Sequence, residues 1–145
     1  MESNIFYEVS VNWEAGRKGT LSSPVLDTTI EVATPPQFPK GIEGVWSPEH
    51  LFVAAVNSCL MTTFLSFAEN SNLRFENFSS KALGKLEMVE GKYMISEITL
   101  MPVVTLAEKS GEEKTKRLLK KVEENCLISN SVKSKIIFES LVKLK

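Results

Sequence analysis

The chain has 145 residues, enough for one domain (1–145) with its own core and no metal or disulfide staple. Seventeen Lys and Arg against 18 Asp and Glu leave a net charge of −1, which excludes the basic field that binding to nucleic acid or an acidic membrane would need. Two cysteines are too few for a disulfide scaffold, and 43% hydrophobic with 24% charged residues is the balance of a soluble globular protein.

Met1-Glu2-Ser3-Asn4 carries no basic leader, so the expected setting is a reducing cytoplasm with free thiols. Residues 6–13 alternate apolar and polar in the strand manner, 15–19 read as a turn, and 20–23 start the return. Alternation resumes over 26–33 and stops before Pro35-Pro36. The first third therefore predicts a β-meander. Residues 34–46 hold Pro35, Pro36, Pro39, Gly41 and Gly44, the composition of an irregular connection.

The stretch 47–68 is the organising element. Ser47 suits an N-cap, Pro48 the first helical position and Glu49 the positive end of the helix dipole. The run is apolar on nearly every face, so it must be covered on all sides. Its Glu49, His50, Asn57 and Ser58 argue for burial in protein over lipid.

Segments 79–89 and 92–104 flank Glu90-Gly91 and predict a β-hairpin. Ser110-Gly111-Glu112-Glu113 has capping-box spacing. The helix it opens places Leu118, Val122 and Cys126 on one apolar stripe, with Leu119 beside them. Residues 136–138 and 141–142 look like one last short strand. The fold class is α+β, largely antiparallel sheet packed around the long central helix. That helix has more apolar face than one layer covers, which predicts an isologous homodimer with the two central helices close together.

Chemistry rests with Cys59 and Cys126, on separate helices and without C-x-x-C spacing. Each could be a small core hydrophobe. A reactive thiol needs a cation to favour thiolate, and Cys59, mid-helix, would need an arginine supplied by tertiary structure. Arg17 sits in a turn beside Lys18, where a solvated charge is ordinary. Glu49 is explained by the helix N-terminus, and His50 by a surface position.

Ser47-Pro48-Glu49-x-Leu51-Phe52-x-Ala54-Ala55-x-x-x-Cys59 resembles the N-P-E-x-L-(L/F)-x-A-A-x-x-x-C signature of the OsmC/Ohr proteins, the osmotically inducible and organic-hydroperoxide-resistance thiol peroxidases. Cys126-Leu127-Ile128-Ser129-Asn130 resembles their second motif, C-P-x-S-N, and 15–19 resembles the segment carrying the family's active-site arginine. The departures are Ser47 for Asn, His50 after Glu49, Leu60 after the first cysteine and Leu127 for Pro.

The resemblance implies an intertwined homodimer of OsmC-like fold that reduces organic hydroperoxides, with no metal or organic cofactor and an external dithiol as reductant. It implies a peroxidatic Cys59, a resolving Cys126, an Arg17 that stabilises the Cys59 thiolate and orients the peroxide, and a Glu49 that holds Arg17. Glu49 and Cys59 are ten positions apart, about 15 Å along an unbroken helix. They can share one arginine only if the helix breaks between them or Glu49 comes from a second chain. The alternatives are a non-enzymatic relative that binds a small hydrophobic ligand or senses redox state at the dimer cleft, and an interaction protein whose cysteines are only core.

Overall fold

The structure, a computed structural model, describes residues 4–145. Its element order is strand, strand, strand, long helix, two long strands, helix, two short strands, which is the expected α+β arrangement. The chain divides into two compact units, the first ending at Leu51 and the second running from Phe52 to Lys145.

In the first unit β1 (Ser10–Ala15), β2 (Lys18–Ser22) and β3 (Ile30–Ala33) form an antiparallel sheet in chain order, the expected meander. The turn is tighter than expected. Only Gly16 and Arg17 separate the strands, and Gly16 takes the left-handed conformation (φ 54°) that a two-residue turn requires. The flanking strands are shorter than their alternation suggests. The ladder with β1 ends at the Ser10–Ser22 pair, so residues 6–9 pair with no strand among the described residues; a turn closed by Leu26 N–H on Ser23 O at 3.2 Å follows β2, and residues 26–29 stay outside the ladder. Alternation marks a two-faced segment; only a neighbour makes it a strand. The connection to the helix is irregular as expected, yet closely folded. A Cβ on Gly41 would sit 2.0 Å from Pro35 O, a space only glycine can share.

The helix α1 (Pro48–Asn70) runs unbroken through the expected stretch and two residues beyond it. Ser47 caps it: its Oγ accepts from His50 N–H at 3.1 Å, and its carbonyl takes Leu51 N–H at 2.9 Å. The other end closes in a Schellman motif. Leu73 N–H reaches Ala68 O at 2.9 Å, Asn72 N–H reaches Glu69 O at 3.2 Å, and Asn72 takes the left-handed conformation (φ 55°). By length and composition α1 could cross a membrane (mean hydropathy 1.8), but Val56, Leu60, Phe64 and Ala68 are buried in the protein core.

In the second unit β4 (Asn77–Val89) and β5 (Lys92–Leu106) make the expected hairpin, with both Glu90 (φ 49°) and Gly91 (φ 81°) left-handed in its two-residue loop. The α1 stripe packs with Ile98, Leu100, Val104 and Leu106 of β5. Phe64 stacks on Phe78 (centroids 4.7 Å apart) and meets Phe75 edge-on (5.1 Å). Two devices fix how α1 lies on β4. Asn57 and Ser80 bond reciprocally, at 2.9 Å to the Ser80 carbonyl and 2.6 Å from its hydroxyl, and a Cβ on Gly84 would fall 2.4 Å from Val53 Cγ2.

The helix α2 (Glu112–Asn125) follows, and Leu118, Leu119 and Val122 enter the same core. The capping box does not form. Ser110 lies inside a 3₁₀ turn (Lys109–Gly111), so Gly111 becomes the N-cap, with no side-chain cap bond. The last strand is two, β6 (Lys135–Phe138) and β7 (Leu141–Leu144), split at Glu139-Ser140. Both lie parallel to β5, because the crossover through α2 brings the chain back in the same direction.

Gly84→Ala is expected to destabilise the protein by about 1–3 kcal/mol in denaturant unfolding, the usual cost of overpacking. Adding Val53→Ala removes the methyl that collides and should recover part of that loss.

Candidate functional site

Cys59 stands near the middle of α1, on the side bordering the core, partly exposed; Cys126 is buried. Both thiols are free. Cys126, at the C-terminal end of the apolar stripe, is the C-cap of α2, with extended backbone (φ −74°, ψ 107°). Its Sγ–H donates to the Val122 carbonyl at 3.1 Å, one turn back.

Thr63 follows Cys59 by one helical turn, its Oγ1 3.9 Å from Cys59 Sγ, and the same hydroxyl interacts with Cys126. Sequence reasoning missed Thr63; the signal was its i+4 spacing from Cys59. Burial pushes the Cys126 thiol up to about 11 from an ordinary 9.0. The negative charge of a Cys59 thiolate adds to that rise, the Thr63 hydroxyl opposes it and Glu123 adds slightly. Near neutrality Cys126 is therefore a protonated thiol.

Arg17 is exposed in the β1–β2 turn. It lines a cavity of about 470 Å³ in the first unit, with Trp13, Lys18, Val32 and Pro48 among its walls. Trp13 Nε1–H donates to Gly16 O at 3.0 Å, which braces the turn. Glu49 lies in the first turn of α1 with Oε1 buried and unbonded among the described residues. No ion pair among those residues includes Arg17 or Glu49. Since α1 does not break between Glu49 and Cys59, the two stand about 15 Å apart along one helix.

His50 has a clearer local role than its surface position suggests. Ser47 Oγ lies 2.7 Å from its Nδ1, and the ring meets Trp46 edge-on at 6.2 Å. If the hydroxyl donates to Nδ1, the ring proton sits on Nε2. Downstream of Cys126, Asn130 N–H bonds to Cys126 O at 3.0 Å and Ser129 Oγ is buried without a partner among the described residues. Those residues hold no group of three or more His, Cys, Asp or Glu side chains placed to take a metal ion.

The fold defines a class: a long apolar helix seated on a β-hairpin, with a crossover helix carrying a second thiol to it. Residues 41–140 match the model of the OsmC-like protein family, and the chain belongs to that family. An OsmC-like protein of unknown function from Vibrio cholerae superposes with a TM-score of 0.83, at 25% identity, over 94% of this chain and 99% of that one. An organic hydroperoxide resistance protein from Elizabethkingia anophelis (TM-score 0.78, 19% identity) covers all of both chains. One from Bacillus subtilis (TM-score 0.68, 20% identity) covers 97% of this chain and 98% of its own. These last two likenesses establish the shared fold. No match is found among curated protein sequences.

The raised Cys126 thiol has a consequence for stability. In the unfolded chain a cysteine loses its proton near 9.0, while the folded chain holds it to about 11. The contribution is full below pH 9 and is lost as pH rises toward 11. Urea titrations at pH 8 and pH 10.5 should show this loss, and Cys126→Ala should lack it.

Proposed function

We propose that the protein is a thiol-dependent peroxidase that reduces organic hydroperoxides. The carrying observation is that the chain's two cysteines are both free and border the same core, Cys59 partly exposed and Cys126 buried.

In this reading the Cys59 thiolate attacks the distal oxygen of an R–O–OH group. The O–O bond breaks, the alkoxide leaves and takes a proton to become the alcohol, and Cys59 becomes a sulfenic acid, oxidised by two electrons. Cys126 then gives up its proton and attacks that sulfur as thiolate, an S–S bond forms, the S–O bond breaks and the leaving hydroxide takes up a proton to become water. An external dithiol reduces the disulfide by exchange and is itself oxidised to a disulfide. Arg17 stabilises the Cys59 thiolate and orients the peroxide through its guanidinium fork, and Glu49 holds Arg17. No metal or organic cofactor takes part.

The charge on one thiol acts on the other. While Cys59 is a thiolate it helps keep Cys126 protonated. Conversion to neutral sulfenic acid removes that charge and eases the deprotonation of Cys126, while burial, the larger cause, still holds its thiol above the ordinary value.

The working form is an intertwined homodimer in the cytoplasm. Only one stripe of α1 is buried within its own chain, while Phe52, Met61 and Leu65 are exposed, as are all six residues of β1, including Val11 and Trp13. Apolar surface on this scale calls for a partner, and a second copy supplies one. It also supplies the second Glu49 that an unbroken α1 requires for a shared arginine.

One equivalent of cumene hydroperoxide per chain is expected to remove both thiols, measured by thiol titration. Cys59→Ser should abolish turnover, and Cys126→Ser should accumulate a sulfenic acid that a dimedone probe traps. Persistence of both thiols under peroxide removes the peroxidase reading. Disulfide formation after a peroxide pulse should accelerate about tenfold per pH unit from pH 7 to 9, following the thiolate fraction of Cys126.

A further inference from the structure

The C-terminal end of α1 carries the negative pole of its dipole, and its last turn has no basic residue. The missing cation comes from α2: Lys114 Nζ donates to Ser71 O at 2.5 Å. Lys114, Arg117 and Lys121 stand at i, i+3 and i+7, so they share one face of α2, and all three are exposed. The acids at the start of α2 do not neutralise them, because Glu112 and Glu113 pair with Lys116 (3.2 and 3.9 Å). Among the described residues no ion pair includes Lys114, Arg117 or Lys121.

These three cations border a cavity of about 390 Å³ between the end of α1 and α2, whose floor is the half-buried Phe67 and the buried Leu118. That volume lies in the range of about 300–1,000 Å³ usual for small-molecule sites. The lining has two characters at once. A small inorganic anion would leave the apolar floor wet, and a neutral lipid would leave three like charges facing one another. A hydrocarbon chain ending in one anion answers both. Arg117 can take two carboxylate oxygens in its planar fork, and Lys114 keeps two of its three protons free after bonding Ser71 O.

We propose that this cavity binds an amphipathic monoanion of the long-chain carboxylate class, its chain on Phe67 and Leu118 and its head among Lys114, Arg117 and Lys121. The site uses neither cysteine and does not rest on the peroxidase reading.

The test is calorimetric titration of the full-length protein with dodecanoate below its micelle concentration, with dodecan-1-ol as the neutral comparator. The expected result is saturable binding of one dodecanoate per chain, with dodecanol at least tenfold weaker. The double variant Arg117→Glu with Lys121→Glu alters exposed positions only. It should keep the wild-type melting temperature and lose at least tenfold in dodecanoate affinity. Lys116→Glu, outside the cavity lining, should bind as wild type. Cys59→Ser should also bind as wild type, which separates this site from the thiol chemistry. Absence of saturable binding, equal affinity for dodecanol, undiminished binding by the double variant, or binding only to phosphatidylglycerol vesicles would each overturn the proposal.

Discussion

The second unit depends on one packing relation, the seating of a narrow α1 stripe on the β4–β5 hairpin. Val56, Leu60, Phe64 and Ala68 recur every fourth residue, and each of the larger three gains about 1.5–3 kcal/mol from full burial. Hydrophobic burial alone would let the helix roll or slide. The Asn57–Ser80 pair and the close approach of Val53 to Gly84 remove that freedom, because each fits a single rotation and depth. Cys59 lies two residues past Asn57, so its direction is set by the same fixings. The helix α2 then contributes to the same core, which brings Cys126 to Thr63.

The parts of this arrangement that were readable in the sequence are those whose cause is local. Ser47 and Pro48 mark the start of α1 by their own chemistry, and Glu90-Gly91 marks a two-residue hairpin because the loop demands left-handed residues. The stripe of α2 could be read because its period is strong. Features with non-local causes could not be read this way. Alternation over 6–9 and 26–29 did not become strand where no neighbour ran alongside. Ser110 had the spacing of a capping box, but the preceding turn wound into 3₁₀ and took Ser110 into it. The parallel direction of β6 and β7 follows from where α2 returns the chain, which no short window records. At the candidate site the same division holds. The two cysteines could be picked out by type and motif, whereas Thr63 gains its place only when two helices meet.

The first unit is a three-stranded sheet with little buried core of its own. Its buried side chains are few, chiefly Ala33, Pro35 and Ser47, while Phe6, Tyr7, Val9 and Trp13 face outward. On α1 one apolar stripe is buried in the core, while Phe52, Met61 and Leu65 stay exposed on its other faces.

The two cysteines differ in how freely they can move. Cys59 is held by helical hydrogen bonds on both sides, so displacing its sulfur by more than a rotamer change means unwinding α1. Cys126 stands just past the last helical residue, with extended backbone and a 3₁₀ turn (Ser129–Ser131) ahead of it. Its sulfur can advance by fraying one helix end and shifting a short connection, an opening of the kind proteins sample locally without global unfolding. Bonding the two sulfurs would then consume the conformational freedom of that connection alone. The strand it feeds, β6, pairs over only four residues, Lys135 to Phe138. Strain from such a movement would be absorbed there, at one of the two four-residue ladders of the sheet, and the seating of α1 would be left undisturbed.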